Sequence, residues 1–124
     1  MKLETGIIDK LQHWFPEMAL DGVHVVTSGP VCWFVRNVQR QGAMTFAPFI
    51  FYGRDPFDPI SPRGIALLAH ELKHVQQYRE LGHFAFLATY LLDMVKARFK
   101  YSRDLPLEAP AYALQRQVRE SLES

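Results

Sequence analysis

Residues 67–77 read Leu67-Leu68-Ala69-His70-Glu71-Leu72-Lys73-His74-Val75-Gln76-Gln77, and within them His70 to His74 form an HExxH pattern. Residues four apart on a helix lie one turn apart on the same face. Two imidazoles so placed can point at one ion, and the glutamate next to the first is rotated to lie beside that ion. The pattern carries this meaning only on a helix. At about 100° per residue, His70 and His74 point within about 40° of each other. Ile65, Leu68, Leu72 and Val75 gather on the opposite side over roughly 80°, a core stripe facing away from the chemistry. A polar helix surface with two solvated histidines is the bland alternative. The apolar approach Leu67-Leu68-Ala69 speaks against it.

HExxH is the arrangement of zinc peptidases, in which the histidines hold the metal and the glutamate takes a proton from a water on it. A catalytic zinc takes three protein ligands. The extended HExxHxxGxxH form is excluded, because Glu80 stands where its third histidine would be and Gln77 where its glycine would be. The downstream acids are Glu80, Asp93, Asp104, Glu108, Glu120 and Glu123. Glu108 is the choice. It lies near the start of the last helical segment, and the small Ala109 and Ala111 beside it allow a close helix approach. An acid favoured by the helix dipole in a first turn explains Glu108 equally well.

Working outward, Ile7, Ile8, Leu11, Trp14 and Phe15 recur at helical spacing, and Pro16 ends that helix. Val23 to Val26 reads as a strand. Ser28-Gly29-Pro30 breaks the chain and can open a helix. Val31, Phe34, Val35 and Val38 then share one helical face, and Gly42 stops it. Ala43 to Tyr52 reads as one strand, with Pro48 marking an edge or a bulge. Gly53 to Pro62 is a loop. Helices are expected over Ile65 to Leu81, His83 to Lys100 and Pro106 to Leu122. The fold class is α+β: a small sheet with an edge strand, packed on a helical core of the HExxH helix and two C-terminal helices. No linker or repeat divides the chain, so residues 1–124 are expected to form a single domain.

Nearly half the residues are apolar, 48%, enough for one core without disulfides or a structural metal. The formal net charge of +1 gives no general attraction to nucleic acid. The lone Cys32, between Val31 and Trp33, reads as a small buried hydrophobe. No secretory segment opens the chain, and Phe84 to Val95 is shorter than the roughly 20 residues of a spanning helix. The expected location is therefore the cytoplasm. Lys96, Arg98, Lys100 and Arg103 follow that apolar stretch in the manner of a membrane-surface helix. Burial accounts for the stretch as well, and membrane contact is not expected.

The 67–77 segment resembles the core of minimal gluzincin-type peptidase domains and is similar to the eCIS-core family, defined by an HExxHxxQ signature. Gly42-Ala43-Met44-Thr45-Phe46, followed by Ile50-Phe51-Tyr52, is similar to the Gly-Ala-x-Thr strand that precedes that helix in the family. The resemblance covers about Val23 to Val118. It implies a zincin-like fold, a Zn2+ ion on His70, His74 and Glu108, Glu71 as general base, and a peptide or protein substrate paired with the edge strand at Ala43 to Tyr52. Gluzincins carry their third ligand in a Glu-x-x-Ala/Ser-Asp pattern. Glu108 and Ala111 match it, while Tyr112 replaces the Asp that would orient a metal-bound histidine. A donor to the developing oxyanion is also implied, with Tyr112, Tyr101, His83 and His24 as candidates. The rival expectation is a catalytically weak or inactive zinc-binding module in protein assembly or a toxin system, since members of the family form parts of larger injection machinery. Oligomeric state is not legible in the sequence.

Overall fold

A computed structural model describes residues 1–96 and 105–123. Tyr101, Asp104 and the cations Arg98, Lys100 and Arg103 lie outside the described residues. The architecture is α+β, with a three-stranded sheet and five α-helices among the described residues.

Helix α1 spans Thr5–Leu11 and tightens into a 3-10 turn over Gln12–Trp14, so the expected first helix changes form before Pro16. The Gln12 amide donates to the carbonyls of Phe15 and Met18, both at 2.7 Å, and folds the following chain back over Phe15. Strand β1 is His24–Val26, and helix α2 is Pro30–Asn37, with proline in its first turn. The buried face of α2 differs in part from expectation. Cys32 and Val35 turn inward, while Val31, Phe34 and Val38 are exposed. The Cys32 thiol donates to the Val26 carbonyl at 3.2 Å, which ties this face of α2 to β1.

The stretch expected as one strand is a hairpin. Strand β2, Ala43–Phe46, turns at Ala47-Pro48 into β3, Phe49–Tyr52. Pro48 has no N–H for a ladder and stands in the turn, where none is needed. The order is β1-β3-β2, with β1 parallel and β2 antiparallel to the central β3. Val25, Ile50 and Thr45 lie opposite one another across the three strands and share the buried face. β2 is thus an edge. At Gly53 a Cβ would lie 2.6 Å from the Gln41 carbonyl and 2.7 Å from Val35, so only glycine lets the hairpin pass this close to α2.

Helix α3 runs Pro62–Leu81. Its start lies three residues before the expected Ile65, because Ser61 caps it: the Ser61 hydroxyl accepts from the Gly64 N–H at 3.0 Å and donates to Asp58 at 2.5 Å. Ile65, Leu68, Leu72 and Val75 are buried as expected, in the same core as Phe15, Leu20 and Ile50. Gly82, at φ 83°, ends α3, and α4 follows over His83–Lys96. The expected burial of Phe84 to Val95 is not found. Only Phe86 is buried, and Phe84, Leu87, Leu91, Leu92 and Val95 lie exposed. No described helix is long and apolar enough to cross a membrane.

Helix α5, Glu108–Glu123, packs along α3. Ala111 is fully buried there, as a close approach requires. Pro110 is the third residue of α5, where a missing N–H costs no helical hydrogen bond.

Candidate metal centre

The helix α3 brings His70, Glu71 and His74 to one side of the molecule, under α5. All three are buried, as is Glu108 from the first turn of α5. Glu108 Oε1 lies 2.7 Å from His74 Nε2 and 3.2 Å from His70 Nε2. The ligand atoms of His70, His74 and Glu108 fall within 4.8 Å of one another, close enough to hold one metal ion. The close α3–α5 packing at Ala111 is what carries Glu108 this far in.

The far side of each imidazole is held by an amide. Gln77 Oε1 lies 2.9 Å from His74 Nδ1, and Gln115 Oε1 lies 2.9 Å from His70 Nδ1. A carbonyl oxygen only accepts, so each Nδ1 facing one carries a proton, and in the neutral ring each Nε2 then presents a lone pair to the Glu108 carboxylate. Three buried acceptors then face one another, an arrangement that repels itself unless a cation or a proton stands among them. This donor set fits a divalent metal of the imidazole–carboxylate class. Titration follows the same logic. Burial pulls the His74 imidazole down, but the hydrogen bond to Glu108, the charges of Glu71 and Glu108, and Gln77 together hold it above its ordinary value. Burial pushes the Glu108 carboxyl up, yet hydrogen bonds and charge from His70 and His74 outweigh that and hold it far below the usual carboxylate range.

Glu71 is fixed from the sheet. The Thr45 hydroxyl donates to Glu71 Oε2 at 2.7 Å. Tyr90 on α4 donates to Glu108 Oε2 at 3.1 Å, leaving Oε1 for the histidines. The phenol of Tyr90 is raised by burial and by the charge of Glu108. Tyr78 stacks on Phe86 at 3.8 Å and donates to the Thr45 carbonyl at 3.2 Å; burial and the Glu71 charge push it up to about 12.

These groups border an open cleft of about 770 Å³, walled by β2, α4 and α5, with Arg40 and Asp55 among its polar lining and Phe46, Leu67 and Leu87 among its apolar lining. Tyr112 lines it too, its ring 4.4 Å edge-to-face from His70. The other oxyanion candidates stand elsewhere. His83 donates to the Ala47 carbonyl at 2.6 Å beside the hairpin turn, and His24 lies on β1 against Phe49. Neither lines the cleft.

The sequence named His70, Glu71, His74, Glu108 and Tyr112, and the fold brings all five together. The roles of Thr45, Gln77, Tyr90 and Gln115 were not read from it. Two of them left a signal: Gln77 is the last residue of the HExxHxxQ pattern, three residues past His74 on the same helical face, and Thr45 is the threonine of the Gly-Ala-x-Thr strand.

The family model of the eCIS core domain matches residues 2–82. Thr45, His70, Glu71, His74 and Gln77 fall inside that span; Tyr90, Glu108, Tyr112 and Gln115 fall outside it. No curated protein and no solved structure matches the chain.

Proposed function

The chain belongs to the eCIS core domain family, and from that premise we propose that it is a zinc-dependent peptidase. One observation carries the reading: a buried carboxylate, Glu71, is aimed by Thr45 at 2.7 Å beside two imidazoles and a second carboxylate that converge on a single point. His70, His74 and Glu108 would hold the zinc, which when bound supplies a Lewis acid that makes water a nucleophile at neutral pH. Glu71 accepts the proton of the attacking water and returns it to the leaving amine. Thr45 keeps the carboxylate turned to that task through a hydrogen bond to a charged acceptor. Tyr112 borders the cleft beside His70 and is the chain's candidate for donating to the developing oxyanion.

Strand β2 suits an extended substrate. In the hairpin Gly53 donates to the Gly42 carbonyl at 2.8 Å, so the pairs facing β3 alternate and Ala43 and Thr45 turn their amides outward. The Tyr78 hydroxyl on the Thr45 carbonyl agrees with that direction. A peptide adding to this edge would be paired at Ala43 and lie across Glu71.

The test is metal analysis together with cleavage of a peptide library by the native chain and Glu71→Gln. About one zinc per chain is expected in both, with cleavage reduced roughly 10²–10⁴-fold in the variant. Zinc without cleavage in either would favour a binding module of assembly or toxin systems. A chain purified without chelators that holds no zinc would overturn the reading.

A further inference from the structure

We propose that Gln77 and Gln115 are the positioning residues of the metal centre, and that their neutrality sets how tightly the ion is held. This rests on the metal-binding reading of His70, His74 and Glu108. The orientation of Gln77 is settled by its second contact. Its Nε2 donates to the Leu107 carbonyl at 3.0 Å, so its oxygen must be the atom 2.9 Å from His74 Nδ1. In the neutral ring the proton is thereby placed on Nδ1 and the lone pair on Nε2, the nitrogen that faces Glu108 at 2.7 Å. Gln115 does the same for His70 by another route, reaching across from α5 with its oxygen 2.9 Å from Nδ1. Tyr112 meets the same ring edge-to-face at 4.4 Å. Tyr112 packs on the imidazole, then, and Gln115 fixes its rotation.

The resemblance to gluzincins places an Asp at position 112 for this purpose. Here the contact comes from one turn further along α5, and it comes from an amide. A carboxylate in that place would draw on the Nδ1 proton, make the ring a more basic ligand and add a negative charge near the ion. An amide orients without doing either. The donor set therefore carries one formal negative charge, that of Glu108. With neutral amides behind both histidines, this donor set would leave a divalent ion net positive charge and hold it less tightly than acidic partners would.

The experiment is competition for zinc between a chromophoric chelator and the full chain: native, Gln77→Met, Gln115→Met and Gln115→Glu. The Met variants are expected to bind zinc about 10–100-fold more weakly. Gln115→Glu is expected to bind several-fold more tightly than native. In the zinc-loaded native chain, 15N spectra of the imidazoles should show the Nδ1–H form for both histidines. Met variants within twofold of native, a Glu variant no tighter than native, or an Nε2–H form at either ring would each overturn the proposal. Should the Met variants fail to fold by circular dichroism, Gln115→Glu decides alone. A native chain that takes up no zinc overturns the metal reading and this proposal together. Native zinc binding beside insensitive variants overturns this proposal only.

Discussion

Helix α3 supplies His70 and His74 to the metal centre and α5 supplies Glu108, and the two helices are held in place by different means. α3 buries an aliphatic stripe, Ile65, Leu68, Leu72 and Val75, in the main core, and its site residues on the other side. α5 buries only Glu108, Ala111 and Val118. Beside the apolar packing of Ala111, Leu114 and Val118 it carries a set of polar contacts that the site supplies: Glu108 on both histidines, Gln115 on His70, and Leu107, just before the helix, on Gln77. One helix would keep its place without the site. The other shares its hold between apolar packing and the site, so occupancy of the site and docking of α5 should be coupled.

The sharpest way to break that contrast is to delete one anchor of each kind. Glu108→Ala leaves two buried imidazoles facing an empty place and removes the partner of a charged His74. We expect a loss of about 3–5 kcal/mol in the metal-free chain. Hydrogen exchange should quicken in α5 while α3 stays protected. Leu72→Ala should cost about 2–5 kcal/mol through the cavity it opens under α3. Its exchange should quicken everywhere at once, because the damage lies in the shared core. Equal loss of protection in α3 and α5 for Glu108→Ala would show that α5 is not separately held. Thr45→Val comes next in size. It keeps the shape and leaves a buried Glu71 oxygen without its donor, costing about 1–3 kcal/mol. Cleavage should fall with zinc content unchanged, and Thr45→Ser should restore it.

The same contrast explains what could be read in advance. On α3 the spacing of His70 and His74 and the opposed stripe are both helical periodicities, and periodicity survives in sequence. The start of α3 was misplaced because a cap is a local contact of Ser61 with Asp58 and Gly64. On α5, Glu108 was one of six acids and was singled out by its small neighbours; what confirms its place is packing across many residues at Ala111. Gln115 touches a ring forty-five positions away, a pairing that no local pattern encodes. The hairpin was read as one strand because both halves are rich in aromatic and β-branched residues, and a two-residue turn hides inside such a run. α2 is a helix as its spacing implies, with Val35 and Cys32 buried as expected, whereas Val31, Phe34 and Val38 of the apolar stripe face outward.

The smallest expected effect is that of pH, and it has opposite signs with and without metal. In the metal-free chain His74 is held above its ordinary 6.5, so its contribution to stability is complete below 6.5 and is lost as pH rises through the raised value. Glu108 is held below its ordinary 4.5, so its contribution is present above 4.5 and is lost only as pH falls through the depressed value. The metal-free chain should therefore melt highest between about 4.5 and 6.5 and lose Tm on the alkaline side. Metal competes with the proton for the same lone pair, so added zinc should stabilise more as pH rises across that window. Thermal melts from pH 5 to pH 9, in chelator and in zinc, would then diverge above neutrality. The divergence should reside in α5, where the His74–Glu108 contact is the main anchor. A metal-free Tm that climbs from pH 6.5 to 8.5 would mean that His74 is not the proton-bearing member of the cluster. α5 would then have to be held by the apolar packing of Ala111, Leu114 and Val118 rather than by charge.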